Sequence, residues 1–313
     1  MSESPDVALA IDVGGTAIKA ALVDPAGEIH HARRRPTGAE HGPDAVVATV
    51  LDVATELAAY AGGHGLTPVA AGVVVPAVIN EADGIAEWSA NLGLRDVPLR
   101  ELVTGRTGLP TVLGHDVRAG ALAEARIGAG RSTRRMFFVA IGTGIAGGYV
   151  LDGRIDPGAH GAAGEIGHVV VRTGPDARPC GCGNRGCLEA YASAAAIGRA
   201  YTAAGTGGAS STAAEVAARV AAGEALATTI WRDAMEVLAD GLLTGIALFD
   251  PRVIVFGGGL AGAGEILLEP LAEALGRRRT FHRIPELLLG ELGDEAGCLG
   301  AGLLALDLVG AAE

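Results

Sequence analysis

The sequence predicts an α/β protein built from two related halves. Its 313 residues are enough for two domains, each with its own core. Residues 7–75 follow the order strand, strand, strand, helix, strand. The same order recurs in outline between residues 136 and 257, where two strands, a short hairpin and a later buried strand are predicted. A repeated unit of this kind favours two domains of similar topology.

The first half begins with three predicted strands over residues 7–35, joined by a glycine turn and by the hairpin DPAGE. A helix is predicted from about residue 43 to Gly62 and Gly63, because apolar residues recur there at helical spacing: Val46, Val47, Val50, Val53, Ala54 and Leu57. The segment VAAGVVVPAV then predicts a buried strand.

The second half contains MFFVAIGTGIAGGYVLDGRI, which predicts two strands around a glycine turn and a DG hairpin. The segment RVIVFGGGL predicts a further buried strand. Between them, Thr212 and Glu215 have the spacing of a capping box, and residues 224–250 predict a long apolar helix that ends at Asp250-Pro251. GTGGASS, residues 205–211, predicts a flexible loop.

Composition excludes several classes of partner. The net charge is −12 and aromatic residues make up 4% of the chain, so binding to a phosphate backbone or stacking on bases is disfavoured. The N-terminus lacks the basic start and apolar run of a signal peptide, and the sequence contains no unbroken apolar run of about 18 residues. We therefore expect a cytoplasmic protein that binds small molecules, with no nucleic-acid or membrane partner.

Three of the four cysteines lie in GEIGHVVVRTGPDARPCGCGNRGCLEA, residues 164–190. A disulfide with a spare thiol, a catalytic thiol and a metal site are the three interpretations. A reducing compartment disfavours the disulfide. His168, Cys180, Cys182 and Cys187 offer the four N and S ligands that Zn²⁺ takes in a closed structural site. The alternative is a core histidine beside small buried cysteines.

Three glycine-rich turns follow predicted strands: DVGGTAIK from Asp12, GTGIAGG from Gly142 and GGGLAG from Gly257. Glycine lets backbone N–H groups approach phosphate oxygens, and the hydroxyls of Thr16 and Thr143 would add donors. A hairpin also needs glycine for its geometry, so each turn by itself supports either interpretation. Together the three turns favour a nucleotide site that is not a P-loop.

These motifs resemble those of the ROK family of sugar kinases and repressors, within the actin-like superfamily, over essentially the whole chain. The resemblance implies an α/β fold of two actin-like (ribonuclease-H-like) domains around a central cleft, with a zinc loop. Residues 1–117 would form the first domain, completed by a C-terminal helix at about 298–313. Residues 118–297 would form the second. It further implies ATP and Mg²⁺ as cofactors, structural Zn²⁺, and a homodimer or homotetramer.

The resemblance also assigns roles to residues. Those that would contact sugar are Asn91, His115, Asp116, Glu165, His168 and Glu189. His168 would bind zinc through one ring nitrogen and a sugar hydroxyl through the other. Those that would bind the nucleotide and its metal are Asp12, Gly14, Gly15, Thr16, Gly142, Thr143, Gly144, Gly257, Gly258 and Gly259. Asp12 would act on the metal through a water.

Asp116 in GHDVRAGALAE would be the general base that accepts the proton of the sugar hydroxyl. A plain helix N-cap is the alternative for this residue, and a loop cap is the alternative for Asn91. The sequence departs from the family pattern at two positions. His115 stands where the family has asparagine, and Ala77 stands where a glycine follows the proline. Both departures fall on the sugar side, so they bear on which sugar is bound.

The resemblance implies an ATP-dependent hexokinase acting on the 6-hydroxyl of glucose or a close relative such as an N-acetyl amino sugar. Two alternatives belong to other classes. One is a sugar-responsive ROK transcriptional regulator, which is disfavoured because only about six residues precede the first strand and the chain is acidic. The other is a catalytically inactive sugar-binding protein, which the unusual His115 keeps open.

Overall fold

The computed structural model describes residues 4–205 and 210–310, in two structural units. The first unit comprises Met1–Ile127, Pro157–Ala163 and Asp294–Glu313, and the second comprises Gly128–Asp156 and Gly164–Gly293. The first unit therefore extends beyond residue 117 and takes in a short later segment that the sequence-based division assigns to the second domain. Within the predicted loop at 205–211, residues 206–209 lie outside the described part of the chain.

The elements follow the chain in this order: β1 (Asp6–Val13), β2 (Ala17–Val23), β3 (Ile29–Pro36), α1 (Pro43–Gly63), β4 (Thr67–Val75), β5 (Val78–Asn80), β6 (Ile85–Trp88), β7 (Arg95–Val97), α2 (Leu99–Thr107), β8 (Thr111–His115) and α3 (Asp116–Arg126). They continue with β9 (Arg135–Ile141), β10 (Ile145–Leu151), β11 (Arg154–Ile155), α4 (Glu189–Ala192), α5 (Ala194–Gly205), α6 (Ala213–Ala221), α7 (Ala225–Phe249), β12 (Val253–Gly257), α8 (Glu265–Arg278), β13 (Glu286–Leu289) and α9 (Ala296–Gly310).

Each unit is built on a five-stranded sheet, and the two sheets have the same strand order. The first sheet runs β3-β2-β1-β4-β8 and the second runs β11-β10-β9-β12-β13. In both, the first three strands of the unit are antiparallel, and the first strand pairs in parallel with the fourth. The predicted repeat of the strand pattern is thereby confirmed. A small sheet, β5-β6-β7, was not predicted because its strands are too short to show a period of two.

The two faces of the first sheet differ in side-chain size. Leu9 and Ile11 of β1 belong to the large apolar core that packs under α1, whereas Ala8 belongs to a small-residue cluster with Ala305 of α9. Helix α9 packs so closely that a Cβ on Gly72 of β4 would lie 1.9 Å from the carbonyl oxygen of Ala301. Small residues on this face let the helix backbone approach the sheet.

Helix α1 matches the predicted span, and its predicted apolar face is buried except for Val47, which is half-buried. Among the described residues, it is the single helix long and apolar enough to meet the length and composition of a membrane span. Its buried residues, including Val50, Val53 and Leu57, form part of the core of the first unit. A buried face of this kind is what a core helix of a folded domain needs.

The second unit has its core between its sheet and helices α5–α8. Phe137, Val139 and Ile141 of β9 pack with Trp231 of α7 and its neighbours. The predicted capping box is confirmed, because Thr212 accepts a hydrogen bond from the Glu215 backbone and Glu215 accepts one from Thr212. The long helix also ends as predicted, at Asp250 in the left-handed region (φ 42°).

Candidate active site

The predicted metal ligands lie together in the second unit. The Cys180 Sγ lies 3.7 Å from Nδ1 of His168, and the Cys182 and Cys187 sulfurs are 3.7 Å apart. All four ligand atoms lie within 4.8 Å of one another. A tetrahedral zinc site with Zn–S bonds of 2.3 Å has ligand-to-ligand edges of about 3.8 Å. The donor set and its spacing therefore fit Zn²⁺.

A compact hairpin holds these ligands. The backbone N–H of Cys180 donates to Asn184 (2.8 Å), and isolated bridges pair Pro179 with Arg185 and Val170 with Cys187. Two features require a glycine at residue 186. Its φ is positive (80°), and a Cβ there would lie 1.8 Å from the carbonyl oxygen of Arg172. This loop forms without a disulfide, since all four cysteines are free.

The three thiols differ in acidity. Burial raises the pKa of Cys187 to about 12 and also raises that of Cys180. The pKa of Cys182 is lowered, chiefly by a hydrogen bond from the Asn184 backbone. Since zinc binds thiolates, metal binding at this cluster must release protons.

His168 presents its second ring nitrogen away from the cysteines. Its Nε2 lies 3.9 Å from Oε2 of Glu165, and both side chains are about 40% exposed (37% and 40%). Glu189 begins α4, two residues after the last cysteine, and its Oε2 accepts a hydrogen bond from the backbone N–H of Ile145 (3.0 Å). The three sugar-site residues predicted in this unit thus belong to the zinc loop and the helix that follows it.

Two of the three glycine turns lie at one edge of the second sheet. The turn at Gly142–Gly144 follows β9 and the turn at Gly257–Gly259 follows β12, and these two strands are parallel neighbours. The turn at Gly257–Gly259 packs against the end of β9, because a Cβ on Gly258 would lie 2.6 Å from the carbonyl oxygen of Ile141. Carboxyl ends of parallel strands are where α/β sheets bind ligands.

Packing against neighbouring atoms requires glycine at some positions of these turns, whereas other positions have free space around them. A Cβ on Gly144 would lie 2.3 Å from Glu189, and one on Gly257 would lie 2.4 Å from the ring of Phe138. A Cβ on Gly142 or Gly259 would meet no heavy atom within 4 Å in residues 4–205 and 210–310. At these last two positions there is open space beside the Cα atom, which a ligand could fill.

A cavity of about 330 Å³ adjoins the third turn. Its walls are Gly259, Leu260 and neighbouring small residues on one side and the alanine face of α6 on the other: Ala213, Ala214, Ala217 and Ala218. The volume is within the range of small-molecule sites, about 300–1,000 Å³. The sequence analysis did not assign α6 to a site. The alanine run after the capping box is a signal that could have done so, since small side chains leave room for a flat ring.

The remaining predicted residues lie in the first unit. Gly15 and Thr16 are exposed at the first turn. Thr37 holds this turn in place with two hydrogen bonds. The Thr37 hydroxyl donates to the Gly14 carbonyl (2.6 Å), and the Thr37 N–H donates to the Thr16 carbonyl (3.0 Å). Thr37 is fully buried and was not predicted. Asn91 is also brought to this turn, since its Cβ lies 3.9 Å from the position of a Cβ on Gly15.

Asp12 is buried at the end of β1, with its carboxylate against the first turn of α9 at Gly297. Burial, and next the nearby carboxylate of Asp116, raise the pKa of Asp12 to about 7, and the attraction of Lys19 opposes this rise. The Lys19 Nζ lies 4.0 Å from Asp12 Oδ2 and forms an ion pair with Asp294. An oxygen ligand of this kind fits Mg²⁺.

Asp116 is the first residue of α3, and the N-cap is His115. The N-cap alternative for Asp116 is therefore wrong, although its Oδ1 also accepts a hydrogen bond from Val117 (2.8 Å). The Nδ1 of His115 lies 3.2 Å from the same Val117 N–H and 3.2 Å from Oδ1 of Asp116. The imidazole is thus packed directly beside the Asp116 carboxylate. Ala77, the second position at which the sequence departs from the family pattern, is buried, with 8% of its surface exposed.

Arg118, two residues after Asp116, was also missed. Its guanidinium is almost fully buried and donates to the Gly161 carbonyl and to the Glu81 carboxylate, each at 2.8 Å. It therefore fastens the segment Pro157–Ala163 to α3. A buried arginine is rare unless paired, but its pairing cannot be predicted from sequence spacing, because the partners are 37 and 43 residues away.

Sequence comparison gives the chain its relatives. The model of the ROK family matches residues 8–308. A glucokinase of Streptomyces coelicolor is 31% identical, over 95% of this chain and 96% of its own length. An N-acetylmannosamine kinase of Citrobacter koseri is 34% identical, over 95% and 98%.

Solved structures of ROK family proteins have a similar fold. A ROK family glucokinase from Streptomyces griseus, in complex with glucose and AMPPNP, has a TM-score of 0.81 and 28% identity, covering 96% of this chain and 99% of that one. A ROK family transcriptional regulator, a homologue of the E. coli MLC protein, has a TM-score of 0.86 and 26% identity, covering 97% and 78%. The predicted α/β fold with two actin-like domains is confirmed. Since the family model covers nearly the whole chain, the chain belongs to the ROK family.

Proposed function

We propose that this protein is an ATP-dependent sugar kinase that phosphorylates the 6-hydroxyl of glucose or a close relative such as an N-acetyl amino sugar. The observation that carries the proposal is a contact between two parts of the proposed site. Glu189, a proposed sugar ligand, lies against the turn Gly142–Gly144, which is proposed to bind phosphate. Phosphoryl transfer needs an acceptor hydroxyl and a phosphate chain next to each other. The names of the glucokinase and N-acetylmannosamine kinase relatives support the same activity.

The sugar would bind through hydroxyl contacts with Glu165, His168 and Glu189, and through Asn91, His115 and Asp116 of the first unit. A hydroxyl within about 2.8 Å of both partners fits between His168 Nε2 and Glu165 Oε2, whose separation is 3.9 Å. Zinc would be held by His168, Cys180, Cys182 and Cys187, and when bound it supplies a rigid frame and one fixed ring tautomer. The loop then presents His168 Nε2 to the sugar in a single orientation.

ATP would lie along the glycine turns. The cavity beside α6 suits the flat, weakly polar adenine ring, and the open space beside Gly142 and Gly259 suits phosphate and ribose. In the first unit, the turn Gly14–Thr16 would donate to the terminal phosphates. Asp12 would act on Mg²⁺ through a water, and the ion would neutralise phosphate charge when it is bound.

Asp116 would be the general base. Its carboxylate accepts the proton of the 6-hydroxyl as the hydroxyl oxygen bonds to the γ-phosphorus and the bond to ADP breaks. The imidazole of His115 presents one donor and one acceptor, whereas an asparagine presents a carbonyl and an NH₂ group. Together with Ala77, it would set the preference among glucose and its 2-substituted relatives.

The test is ADP release measured over a panel of hexoses, amino sugars and N-acetyl sugars, with wild-type protein. We expect turnover with one or a few closely related sugars. Sugar binding without ADP release would instead identify an inactive sugar-binding protein. A specific gel shift with genomic DNA fragments, relieved by sugar, would identify a regulator. The cytoplasmic location and the homodimer or homotetramer remain predictions, and light scattering tests the second.

A further inference from the structure

Glu189 has a contact that a sugar ligand does not require. Its Oε2 accepts a hydrogen bond from the backbone N–H of Ile145, the first residue after the turn Gly142–Gly144. The carboxylate also fills the space beside Gly144, where a Cβ would lie 2.3 Å from the same oxygen. A glycine at this position is therefore required by the Glu189 carboxylate, whose atoms are the nearest neighbours of an added Cβ.

The other end of the turn is tied to the same short segment. The N–H of Ala194, the first residue of α5, donates to the carbonyl of Gly142 (2.9 Å). The segment 189–194 thus makes a hydrogen bond at each end of the turn. One is to the carbonyl of Gly142, and the other is from the N–H of Ile145. Both backbone groups lie at positions that determine how the intervening N–H groups face a ligand.

The zinc loop determines where residues 189–194 lie. Cys187, a predicted zinc ligand, pairs with Val170, and the N–H of Leu188 donates to the carbonyl of Val169 (2.9 Å). The N–H of Ala190 then donates to the carbonyl of Cys187 (3.1 Å). Leu188 is fully buried, so the start of α4 cannot shift without disturbing the core.

We infer that Glu189 is a positioning residue for the nucleotide, which couples the zinc loop to the phosphate turn in addition to any contact it makes with sugar. The inference rests on the proposed kinase function and extends it. A carboxylate has about four acceptor sites, so one bond to Ile145 leaves capacity for a sugar hydroxyl. The zinc loop therefore shapes the ATP site as well as the sugar site.

The test measures nucleotide binding in the absence of sugar. The affinity for AMPPNP with Mg²⁺ is determined by calorimetry for wild type, Glu189→Ala, Glu189→Gln and the control Glu273→Ala, with zinc content and thermal unfolding checked for each. Glu273 is an exposed glutamate of α8 outside the proposed site. Removing an acceptor from a backbone N–H is expected to weaken AMPPNP binding roughly tenfold in Glu189→Ala. Glu189→Gln keeps an acceptor oxygen and should recover most of the affinity. Glu273→Ala should bind AMPPNP like wild type.

A double-mutant cycle adds a measurement that a folding defect cannot imitate. Gly144→Ala should weaken AMPPNP binding when Glu189 is present, because the new Cβ displaces the carboxylate, and should have much less effect in the Glu189→Ala background. The same loss in both backgrounds, or unchanged AMPPNP binding by Glu189→Ala, would overturn the inference alone. Absence of AMPPNP binding by the wild-type protein would overturn the proposed function itself.

Discussion

Asp12 and Asp116 lie in one region of the first unit. Their environments differ in burial, and we propose different roles for them. Asp12 is 9% exposed, and burial together with the negative charge of Asp116 raises its pKa to about 7. Asp116 is more open, with a side chain 28% exposed at the start of α3. A general base must reach the reacting hydroxyl, whereas a metal-side carboxylate can exchange its proton for a cation. The two environments match the two proposed roles.

Asp116→Asn should keep the shape and much of the hydrogen bonding of the side chain but remove the proton acceptor. We expect kcat to fall roughly 10²–10⁴-fold, the usual contribution of general-base catalysis, while the sugar Kd changes far less. Steady-state kinetics and sugar calorimetry provide the two readouts. Asp52→Asn, on the exposed face of α1, serves as the control. Near-normal turnover of Asp116→Asn would rule out its role as the base.

Asp12 should make the stability of the ligand-free protein depend on pH. Its pKa is 3.8 when unfolded and about 7 when folded, so the folded state holds a proton that the unfolded state releases. The free energy of unfolding should therefore fall as pH rises from about 4 to 7, by up to about 1.4 kcal/mol per pH unit from this group. Asp12→Asn lacks this contribution.

Urea unfolding of both proteins across that pH range isolates the effect, because all other groups are common to them. The stability of Asp12→Asn relative to wild type should rise with pH and level off above about pH 7. Parallel curves would show that Asp12 titrates normally.

The zinc loop is the element on which most of the site in the second unit depends. It has little apolar core of its own: Cys180 is half-buried and Cys182 is exposed. A loop rich in glycine loses much conformational entropy when it orders. Zn²⁺ coordination by the four proposed ligands would offset that cost.

Purified protein should contain about one zinc per chain. Cys182→Ser removes one ligand from an exposed position, so we expect loss of zinc and of sugar affinity with little change in the core of the unit. Elemental analysis and sugar calorimetry measure the two effects. Cys298→Ala, a cysteine buried in α9 and outside the ligand set, should retain both. Full sugar affinity in a zinc-free Cys182→Ser protein would contradict this role.

At the scale of the whole molecule, neither unit is a continuous segment of chain. The first unit takes its last helix, α9, from the far end of the sequence, and this helix packs on the small-residue face of the first sheet. The contact at Gly72 and Ala301 joins residues 229 positions apart, since 301 − 72 = 229. The C-terminal helix is therefore part of the core that supports Asp12.

Gly72→Ala tests this packing. The added Cβ would lie 1.9 Å from a backbone oxygen, which cannot move as a side chain can. Overpacking of this kind costs about 1–3 kcal/mol of unfolding free energy. Gly62→Ala is the matched control: its Cβ would meet no heavy atom within 4 Å in the described chain, and alanine is the better residue in helix α1. Equal stability of the two variants in chemical denaturation would contradict the close approach of α9.

Much of the fold can be predicted from the sequence because its signals are local. The strands of both halves, the span of α1, the capping box of α6 and the end of α7 depend on residues within a few positions of each other. The same holds for the zinc ligands, which occupy 20 residues from His168 to Cys187. The short strands β5–β7 escaped prediction because three or four residues carry too little periodicity.

Contacts distant in sequence were decided only by the tertiary structure. The raised pKa of Asp12 depends on burial under α9 and on Asp116, and the pairing of Arg118 spans two other segments. The hydrogen bond from Ile145 to Glu189 joins residues 44 positions apart. The sequence by itself determined which residue types were available and the local elements that carry them. Only folding, which closes long loops to bury apolar surface, determined which of those residues meet.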